Sequence, residues 1–432
     1  MIPLHEAQRF VLGLCGPLPP VELPLDDALG SVLSAAVVAT EQVPSFANSS
    51  MDGYAVRSAD TAGAPVRLTV IGSIMAGQTL DQTVGPGQAA RIMTGAPLPP
   101  GADAVCMIEE TETDSDGRSV VIGRDLQPGA FVRQPGRDVA VGDVICSAGT
   151  VLTPAHLGVL ANQGAISARV HRRPRVGVLS TGDELFSGTG PLPPGKIRDA
   201  NRHTLLALVR REGWDGVDLG IVGDNESDLV ELLTSAASTC DAILTSGGVS
   251  VGDLDLVRVV LEKLGAGNMR WMQVAIKPAK PFAFGVLADS AIPVFGLPGN
   301  PVSAMVSFEL FVRPALRRLG GHRVLHRPIV AATTEVDLHR ASDGKLHLVR
   351  AHVHLEDPAS WRVRTTGGQE SHQLHSMSEA NSLILLPDGV GVGAGEQVHV
   401  LVIDVDGLGL DTSLALQAPA SPPAPDSQMG SL

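Results

Sequence analysis

Cysteine is scarce in this chain and is nowhere clustered. Among 432 residues there are four cysteines, Cys15, Cys106, Cys146 and Cys240, and no Cys-x-x-Cys pair. A structural zinc cluster needs closely spaced ligands and a disulfide framework needs a denser set, so the sequence indicates neither. We expect the four thiols to be small buried apolar groups.

Long apolar runs and an excess of positive charge are also missing. No run approaches the roughly 18 residues of a membrane span, and the N-terminal stretch MIPLHEAQRF lacks the basic and apolar regions of a signal peptide. Lys and Arg total 32 against 46 Asp and Glu, and the formal net charge of −14 repels nucleic acid and anionic membranes. We therefore expect a soluble cytoplasmic protein that binds no nucleic acid and no membrane, with small molecules and metal cations as its partners.

Two common phosphate-binding motifs are absent as well. The chain has no Gly-x-x-x-x-Gly-Lys-Ser/Thr segment and no Gly-x-Gly-x-x-Gly after an apolar run. Ordinary P-loop ATPases and dinucleotide-dependent dehydrogenases depend on those motifs, so neither class is supported.

The length exceeds what one hydrophobic core can serve, and the 44% of hydrophobic residues can fill several cores. Residue patterns predict a multidomain chain of the α/β plus β class. The predicted parts are a helical and extended N-terminal scaffold (1–44 and 147–172), a β-rich second domain (45–146), a central doubly wound α/β domain (173–325), a C-terminal β-barrel-like or sandwich-type domain (326–408) and a disordered tail (409–432). Within the scaffold, apolar residues at helical spacing predict helices around Val11, around Leu29 and over 154–168.

The central domain is predicted from apolar runs that alternate with amphipathic segments between positions 175 and 321. Ligands of such sheets bind beyond the carboxyl ends of the strands, where helix N-termini and loop amides converge. Polar and glycine-rich segments follow the predicted strands at this edge. The candidate binding residues there are Thr181, Glu184, Asp224, Ser246, Gly247, Gly248, Ser250, Gly252, Asp255, Lys277, Lys280, Pro298, Asn300 and Pro301.

The chemistry of these candidates favours a phosphorylated ligand. The Ser-Gly-Gly-x-Ser-x-Gly segment at 246–252 can point amides at an anion, although an ordinary strand-to-helix turn explains it equally well. Lys277 and Lys280 offer two ammonium groups for phosphate, with solvated surface lysines as the alternative. Acids after three different strands, including Glu184 and Asp224, offer oxygen ligands for Mg²⁺ held with substrate phosphates, whereas any single acid is more often a helix cap.

Other polar groups lie on loops outside this domain. Asp52, Thr94 and Asp138 sit in segments of the β-rich domain that ordinary turns also explain. His352 and His354 would lie on the same face of one strand. A half-exposed strand that carries polar residues explains them better than a metal-binding pair of histidines does.

In combination, the motifs resemble the MoeA family, the molybdopterin molybdenumtransferases that include the E domain of gephyrin, up to about residue 406. Six segments occur in the family's order: MDGYA (51–55), MTGAP (93–97), STGDEL (180–185), SGGVSVG (246–252), KPAKP (277–281) and GLPGNPVS (296–303).

The resemblance implies an enzyme that makes molybdenum cofactor and AMP from adenylylated molybdopterin and molybdate, with Mg²⁺ as cofactor. It implies that the central α/β domain binds molybdopterin and that a homodimer forms a composite site, with other cofactor-biosynthesis proteins as further partners. One subunit would contribute Asp52, Thr94 and Asp138. The partner would contribute Glu184, Asp224, Asp255, Lys277, Lys280, Arg350 and Ser371. Asp52, Glu184 and Asp224 would be catalytic, with Glu184 and Asp224 also holding metal.

Three positions depart from the family pattern: Ala279 replaces a common glycine, while Leu254 and Arg198 stand where aromatic residues are frequent. Two alternatives remain, namely an adenylyltransferase-like or pyrophosphatase-like enzyme built on the same α/β domain, and a scaffold protein that keeps the fold. The β-rich domain with Asp52 and Thr94 disfavours the first alternative. The full set of acids and lysines disfavours the second.

Overall fold

The computed structural model describes residues 1–223, 225–248, 256–357, 360–405 and 408. The chain divides into two compact units. The larger unit contains residues 1–21, 30–32 and the chain from Val170 onwards, and the smaller contains 22–29 and 33–169. All four cysteines are buried and unpaired, as expected, and burial raises the pKa of the Cys15 thiol to about 12. None of the helices in the described residues is long and apolar enough to cross a membrane.

The N-terminal scaffold is less helical than its apolar spacing suggests. Helix α1 (Leu4–Gly13) forms as predicted and buries Ala7 and Val11, and strand β1 (Pro20–Pro24) follows. The predicted helix around Leu29 is wrong. A single 3-10 turn at Leu25–Asp27 ends there, and Gly30 takes a φ of +76°, which a right-handed helix does not allow.

The smaller unit is built on a six-stranded sheet. Its elements are β2 (Val37–Val38), β3 (Asn48–Ser49), β4 (Gly53–Val56), β5 (Val66–Ile74), β6 (Gln88–Ile92), β7 (Ala104–Met107), β8 (Thr111–Thr113), β9 (Ser119–Ile122), β10 (Val132–Arg133), β11 (Val144–Cys146) and helix α2 (Pro154–Asn162). The strand order in the sheet is β7-β4-β6-β5-β9-β8; β4 pairs antiparallel with β6 and β7, and β5 pairs parallel with β6. Helix α2 begins at Pro154 because Thr153 caps it and proline is tolerated at the first helical position.

The central α/β domain follows in the larger unit. Strand β12 (Ser167–His171) precedes this domain in the chain. The elements that follow are β13 (Arg175–Thr181), β14 (Leu185–Phe186), β15 (Ile197–Arg198), α3 (Asn201–Arg211), β16 (Asp215–Val222), α4 (Glu226–Thr239), β17 (Ala242–Ser246), α5 (Leu256–Gly265), β18 (Arg270–Gln273), β19 (Ile276–Lys277), β20 (Pro281–Val286), β21 (Pro293–Leu297), α6 (Pro301–Ser307) and α7 (Arg313–Leu319).

The main sheet has the order β16-β13-β17-β21-β20-β18. The first four strands are parallel, as predicted, and β20 and β18 extend the sheet in antiparallel fashion. Alternate residues of β13 face different cores: Val178 packs with Leu205 of α3, and Leu179 with Leu233 of α4. Helices therefore cover both faces, and the doubly wound architecture is confirmed.

Helices α6 and α7 are joined by a π-helical segment, Phe308–Val312. Pro314 lacks an N–H, and its ring crowds the carbonyl four residues back, at Leu310 inside that segment. The wider π turn accommodates this local misfit.

The C-terminal domain is a closed barrel. Its elements are β22 (Ile329–Thr334), β23 (Leu338–His339), β24 (Leu346–Asp357), β25 (Ser360–Thr365), α8 (Leu374–Ser378), β26 (Ser382–Leu386), β27 (Gly391–Val392) and β28 (Gln397–Val402). Strands β24-β25-β22-β28-β26 pair in that order, and β26 pairs back with β24, so the predicted barrel is confirmed. Strand β19 of the preceding domain also pairs with β24, with Ile276 opposite Leu346.

Candidate active site

A cleft of about 280 Å³ opens at the carboxyl ends of β13 and β17, where a parallel sheet is expected to bind its ligand. We call it the strand-end cleft. Its walls are Ser180, Thr181, Glu184, Leu185, Ile197, Arg198, Asp199, Ala200, Asn201, Ser246, Gly247, Gly299, Asn300, Pro301 and His372. The predicted residues Thr181, Glu184, Ser246, Gly247, Asn300 and Pro301 are thus brought together.

The floor of the cleft requires a glycine at position 247. Gly247 has a φ of +99°, and a Cβ there would lie 2.7 Å from the carbonyl oxygen of Thr181. The Thr181 Oγ1 hydroxyl donates to the carbonyl of Ser246 at 3.4 Å. The turn after β17 therefore approaches the end of β13 more closely than any side chain would allow.

Asn201, at the start of α3, joins two parts of the cleft. Its Nδ2 donates to Ser246 Oγ at 2.7 Å and to the carbonyl of Gly299 at 2.7 Å. Asn201 is not among the residues predicted from the sequence. Its position at the start of the amphipathic segment that follows the first predicted strand was the available signal.

Asp199, which was not predicted from the sequence either, also lines the cleft. It is only 7% exposed, accepts from Ser180 Oγ at 3.0 Å, and accepts from Arg202 Nε at 2.9 Å. Burial acts to lower the pKa of Arg202, but its hydrogen bonds to Asp218 and Asp199 raise it above the ordinary value. The Asp199 carboxylate is therefore neutralised by a neighbouring guanidinium.

Glu184 supplies an exposed carboxylate to the cleft. The carboxylate folds back over Gly182, where a Cβ would lie 2.3 Å from Glu184 Oε2 and where φ is +137°. Among the described residues, it has no hydrogen-bond or ion-pair partner. Such a group can accept hydrogen bonds or coordinate a cation when a ligand arrives.

The outer wall is the short parallel pair of β14 and β15. Arg198 donates to the carbonyls of Gly188 and Gly190, the latter at 2.8 Å, and its guanidinium carbon lies 5.9 Å from the Phe186 ring centroid. Arg198 therefore closes the loop between the two strands with hydrogen bonds and a cation–π contact. Arginine therefore has a structural role at this position, where aromatic residues are frequent in the pattern of the resembling family.

A segment of the barrel domain completes the cleft. Asn300 Nδ2 donates to Ser371 Oγ at 2.9 Å, and the Val302 amide donates to the carbonyl of Ser371 at 3.2 Å. Asn300 precedes α6 but its side chain makes no capping hydrogen bond. The Asn-Pro pair therefore ties the α/β domain to the barrel at Ser371 and leaves His372 as part of the cleft wall.

The two predicted lysines lie elsewhere. Lys277 lines a second cavity of about 470 Å³, together with His347, Gln369 and Glu370 of the barrel domain. Lys280 is exposed, and its carbonyl accepts from the Val274 amide at 2.8 Å. Among the described residues, Lys277 therefore lines a different cavity from Ser246 and Gly247.

Arg350 binds the segment 368–372, which contributes residues to the walls of both cavities. It is 0% exposed, and its Nη2 donates to the carbonyls of Gly368 at 2.5 Å and Glu370 at 3.2 Å. Its Nε and Nη1 have no partner among the described residues, and burial lowers the pKa of the guanidinium. A buried cation with unused donors is costly, which is a reason to expect an anion nearby in the working protein.

In the smaller unit, two of the predicted residues meet. Asp52 Oδ1 accepts from the Thr94 amide at 2.7 Å and from Thr94 Oγ1 at 2.7 Å. These hydrogen bonds lower the pKa of Asp52, the backbone one most strongly. Gly53 fixes the position because a Cβ there would lie 1.8 Å from the Cys106 carbonyl oxygen. Asp138 is exposed, and its amide donates to the Val43 carbonyl at 2.9 Å.

Comparison with known proteins identifies the family. Residues 2–164 match the MoeA N-terminal region (domain I and II), 177–318 a probable molybdopterin binding domain, and 332–403 the MoeA C-terminal region (domain IV). A curated relative from Haemophilus influenzae, named molybdopterin molybdenumtransferase, is 38% identical over 388 residues, covering 89% of this chain and 94% of the relative. The chain belongs to the MoeA family.

Further relatives agree with this assignment. A protein of Mycobacterium tuberculosis named molybdopterin molybdenumtransferase 2 is 39% identical over 395 residues, which is 90% of this chain and 96% of that protein. The crystal structure of a molybdopterin biosynthesis MoeA protein from Pyrococcus horikosii superposes with a TM-score of 0.78 at 31% identity, covering 94% and 99% of the two chains. The resemblance inferred from the six motif segments is confirmed, as is the multidomain fold class.

Several predicted residues fall outside what the structure describes. These are Asp224, Ser250, Gly252 and Asp255, together with Leu254. Pro298 is buried at the end of β21 and is not among the described residues that line the cleft.

The described residues contain no group of three or more His, Cys, Asp or Glu side chains placed to hold a metal. His352 and His354 lie side by side on β24 with ring centroids 6.1 Å apart, and His354 Nε2 is 3.5 Å from a Glu335 oxygen. In the described part of the strand-end cleft, the exposed carboxylate of Glu184 is a donor of the kind that Mg²⁺ accepts together with substrate phosphates.

Proposed function

We propose that this MoeA-family chain inserts molybdenum into molybdopterin, using adenylylated molybdopterin and molybdate and releasing molybdenum cofactor and AMP. The observation that carries the proposal is the strand-end cleft, which joins a glycine turn, hydroxyl and amide donors and a free carboxylate within the family's fold. The names of the curated relatives support the overall reaction.

The cleft would hold the phosphate-bearing part of the substrate. Gly247 leaves room for a phosphate close to the backbone, and Asn201 and Ser246 present polar groups around it. For a MoeA-family enzyme, this cleft would be the part of the site that binds the pterin and its phosphate. The predicted roles of Gly248, Ser250, Gly252 and Asp255 belong to the same proposal.

Lys277, Lys280 and Arg350 would provide positive charge for molybdate and for the second phosphate. The unused donors of buried Arg350 support this assignment, because an oxyanion near the 368–371 segment would compensate the charge. Ser371 would contribute through its link to Asn300, and Pro298 and Pro301 would shape the turn.

Mg²⁺ would be held by Glu184 and Asp224. The free, exposed carboxylate of Glu184 fits such an ion when it is combined with phosphate oxygens. When bound, Mg²⁺ supplies positive charge that stabilises the developing charge on the phosphates during cleavage of the phosphoanhydride.

Asp52 would act as a carboxylate base or water-orienting group from a second copy of the chain. The Thr94 hydrogen bonds favour its ionised form, which suits that role. We propose a homodimer in which Asp52, Thr94 and Asp138 face the cleft of the partner, working alongside other proteins of cofactor biosynthesis.

The experiment follows AMP release by purified protein supplied with adenylylated molybdopterin, Mg²⁺ and molybdate. We expect Glu184→Gln and Lys277→Ala to reduce kcat/KM by at least about 10-fold each, since each removes a charge that contacts the substrate or its metal. Lys263→Ala is the matched control, because Lys263 is exposed and pairs with Glu226 on the helical surface.

Three results would contradict the proposal. AMP release that ignores molybdate would indicate a pyrophosphatase-like activity. ATP-dependent conversion of unmodified molybdopterin would indicate an adenylyltransferase. Absence of both reactions would indicate a scaffold.

A further inference from the structure

One titratable side chain in the cleft has no assigned role. His372 belongs to the barrel domain, is exposed, and forms part of the wall of the strand-end cleft. Its imidazole makes no hydrogen bond or ion pair to any residue in the described part of the chain. Exposed histidines on loops are common. Whether His372 can bind a ligand therefore depends on how its backbone is held and on the groups around it.

The backbone around His372 is held from three sides. Arg350 donates from beneath to the carbonyls of Gly368 and Glu370. Gln369 accepts from the Arg350 amide at 2.9 Å through Oε1. Ser371 is bound through both its hydroxyl and its carbonyl to the start of α6. The position of His372 at the cleft is therefore set by tertiary contacts on the residues before it.

The other charged groups that face the cleft are already engaged or are negative. Asp199 is paired with Arg202. Arg198 donates to the carbonyls of Gly188 and Gly190. Glu184 is a free carboxylate, and behind it Lys196 donates to the Asp183 carbonyl. On the histidine's own segment, Glu370 faces the second cavity and His375 lies 3.6 Å from Glu379.

Among the described residues that line the cleft, His372 can therefore add positive charge next to an entering phosphate without giving up an existing hydrogen bond. We propose that His372 is a further substrate-binding residue, whose imidazolium donates to a phosphate oxygen of the ligand and makes anion binding depend on protonation. This inference rests on the proposed function for the identity of the ligand. It adds to the cleft a residue from the barrel domain, of the side-chain type that commonly serves as a charge switch near neutral pH.

The test measures binding of AMP and of inorganic pyrophosphate to the full chain by titration calorimetry at pH 6 and pH 8. We expect His372→Gln to weaken binding about three- to fivefold relative to the unmodified protein at pH 6 and little at pH 8. His372→Lys should restore the affinity at both pH values, because its charge does not titrate in this range. Comparing variants at the same pH cancels the titration of the ligand itself.

His375→Gln is the matched control, since His375 lies on the same segment but outside the cleft wall. Equal affinities of the unmodified protein and His372→Gln at pH 6, an equal loss in His375→Gln, or no binding of either probe would overturn the inference. AMP release is measured separately. Its absence, with a histidine-dependent binding curve intact, would contradict the proposed reaction and leave the binding role of His372 standing.

Discussion

At the residue scale, the clearest unit is the pair of Asp52 and Thr94. One carboxylate oxygen receives both a backbone and a hydroxyl hydrogen bond from a single residue, so the ionised acid is favoured although it is exposed. Gly53 makes this geometry possible by allowing β7 to approach β4 closely. In the Met-Asp-Gly motif, glycine is therefore needed for the close approach of two backbone strands, and the acid is held ionised by hydrogen bonds.

This pair makes a prediction about pH. Thr94→Val removes the hydroxyl donor but keeps the amide, so the pKa of Asp52 should rise towards its ordinary value. If ionised Asp52 is needed for turnover, the acidic limb of the kcat/KM profile should shift to higher pH. Thr94→Ser keeps the hydroxyl and should leave the limb in place. A profile that is unchanged in Thr94→Val would show that the hydroxyl does not tune the acid.

At the element scale, the pair of β14 and β15 forms a wall whose connecting loop is held in part by Arg198. The guanidinium binds two loop carbonyls and lies over Phe186, so one side chain joins both strands to their loop. Ile197 and Leu185 line the cleft from the same pair. The order of this loop should therefore affect the shape of the cleft.

We predict that Arg198→Ala loosens the loop at 187–196. Digestion by a nonspecific protease should become several times faster in that loop, with cleavage mapped by mass spectrometry, while the global unfolding midpoint changes little. Arg210→Ala is the control, because in the described part of the chain the Arg210 side chain makes one hydrogen bond, a long one of 3.5 Å to the Gly216 carbonyl. Unchanged cleavage in Arg198→Ala would show that the hydrogen bonds do not hold the loop.

At the scale of the whole molecule, a buried charge network joins the α/β domain to the chain entering the barrel. Glu212 follows α3 and accepts from Arg313 of α7 at 2.9 Å and from Arg327 at 2.7 Å. Glu309, in the π segment, accepts from Arg327 at 2.9 Å. Their side chains are at most 12% exposed, so each charge depends on its partner.

This network predicts how stability depends on pH. Burial acts to raise the pKa of Glu212, but the hydrogen bond from Arg313 and the charges of Arg327 and Arg317 lower it below the ordinary value. Because the folded-state pKa is depressed, the stabilisation is present above the unfolded-state pKa of about 4.3 and is lost as pH falls through the folded-state value.

Glu212→Gln should therefore lower the free energy of unfolding by about 3 kcal/mol at pH 7, since it leaves buried guanidinium groups without their counter-charge. The loss of stability on acidification should also become shallower. Urea unfolding at pH 7 and pH 4 measures both effects. Glu262→Gln, in an exposed pair with Arg258, should cost less than about 1 kcal/mol. Equal losses in the two variants would contradict the argument.

The local pattern of the chain was enough to predict the doubly wound sheet, a C-terminal barrel or sandwich, and the strand-end positions of Thr181, Ser246 and Gly247. These follow from alternation of apolar runs and from the rule that parallel strands present their carboxyl ends at one edge. The helix expected around Leu29 failed because apolar spacing does not report the backbone turn at Gly30. Motif order likewise sufficed to indicate the MoeA family.

Tertiary structure alone decided which side chains meet. Asn201 reaches Ser246 and Gly299 across 45 and 98 residues, and Asn300 reaches Ser371 across 71. Such contacts have no local signature, because they depend on how the sheet edge and the barrel pack together. For the same reason the strand-end pattern suggested Lys277 and the family resemblance suggested Arg350 as anion-binding residues. The structure placed Lys277 in a second cavity, buried Arg350 against the segment 368–370, and set His372 at the cleft.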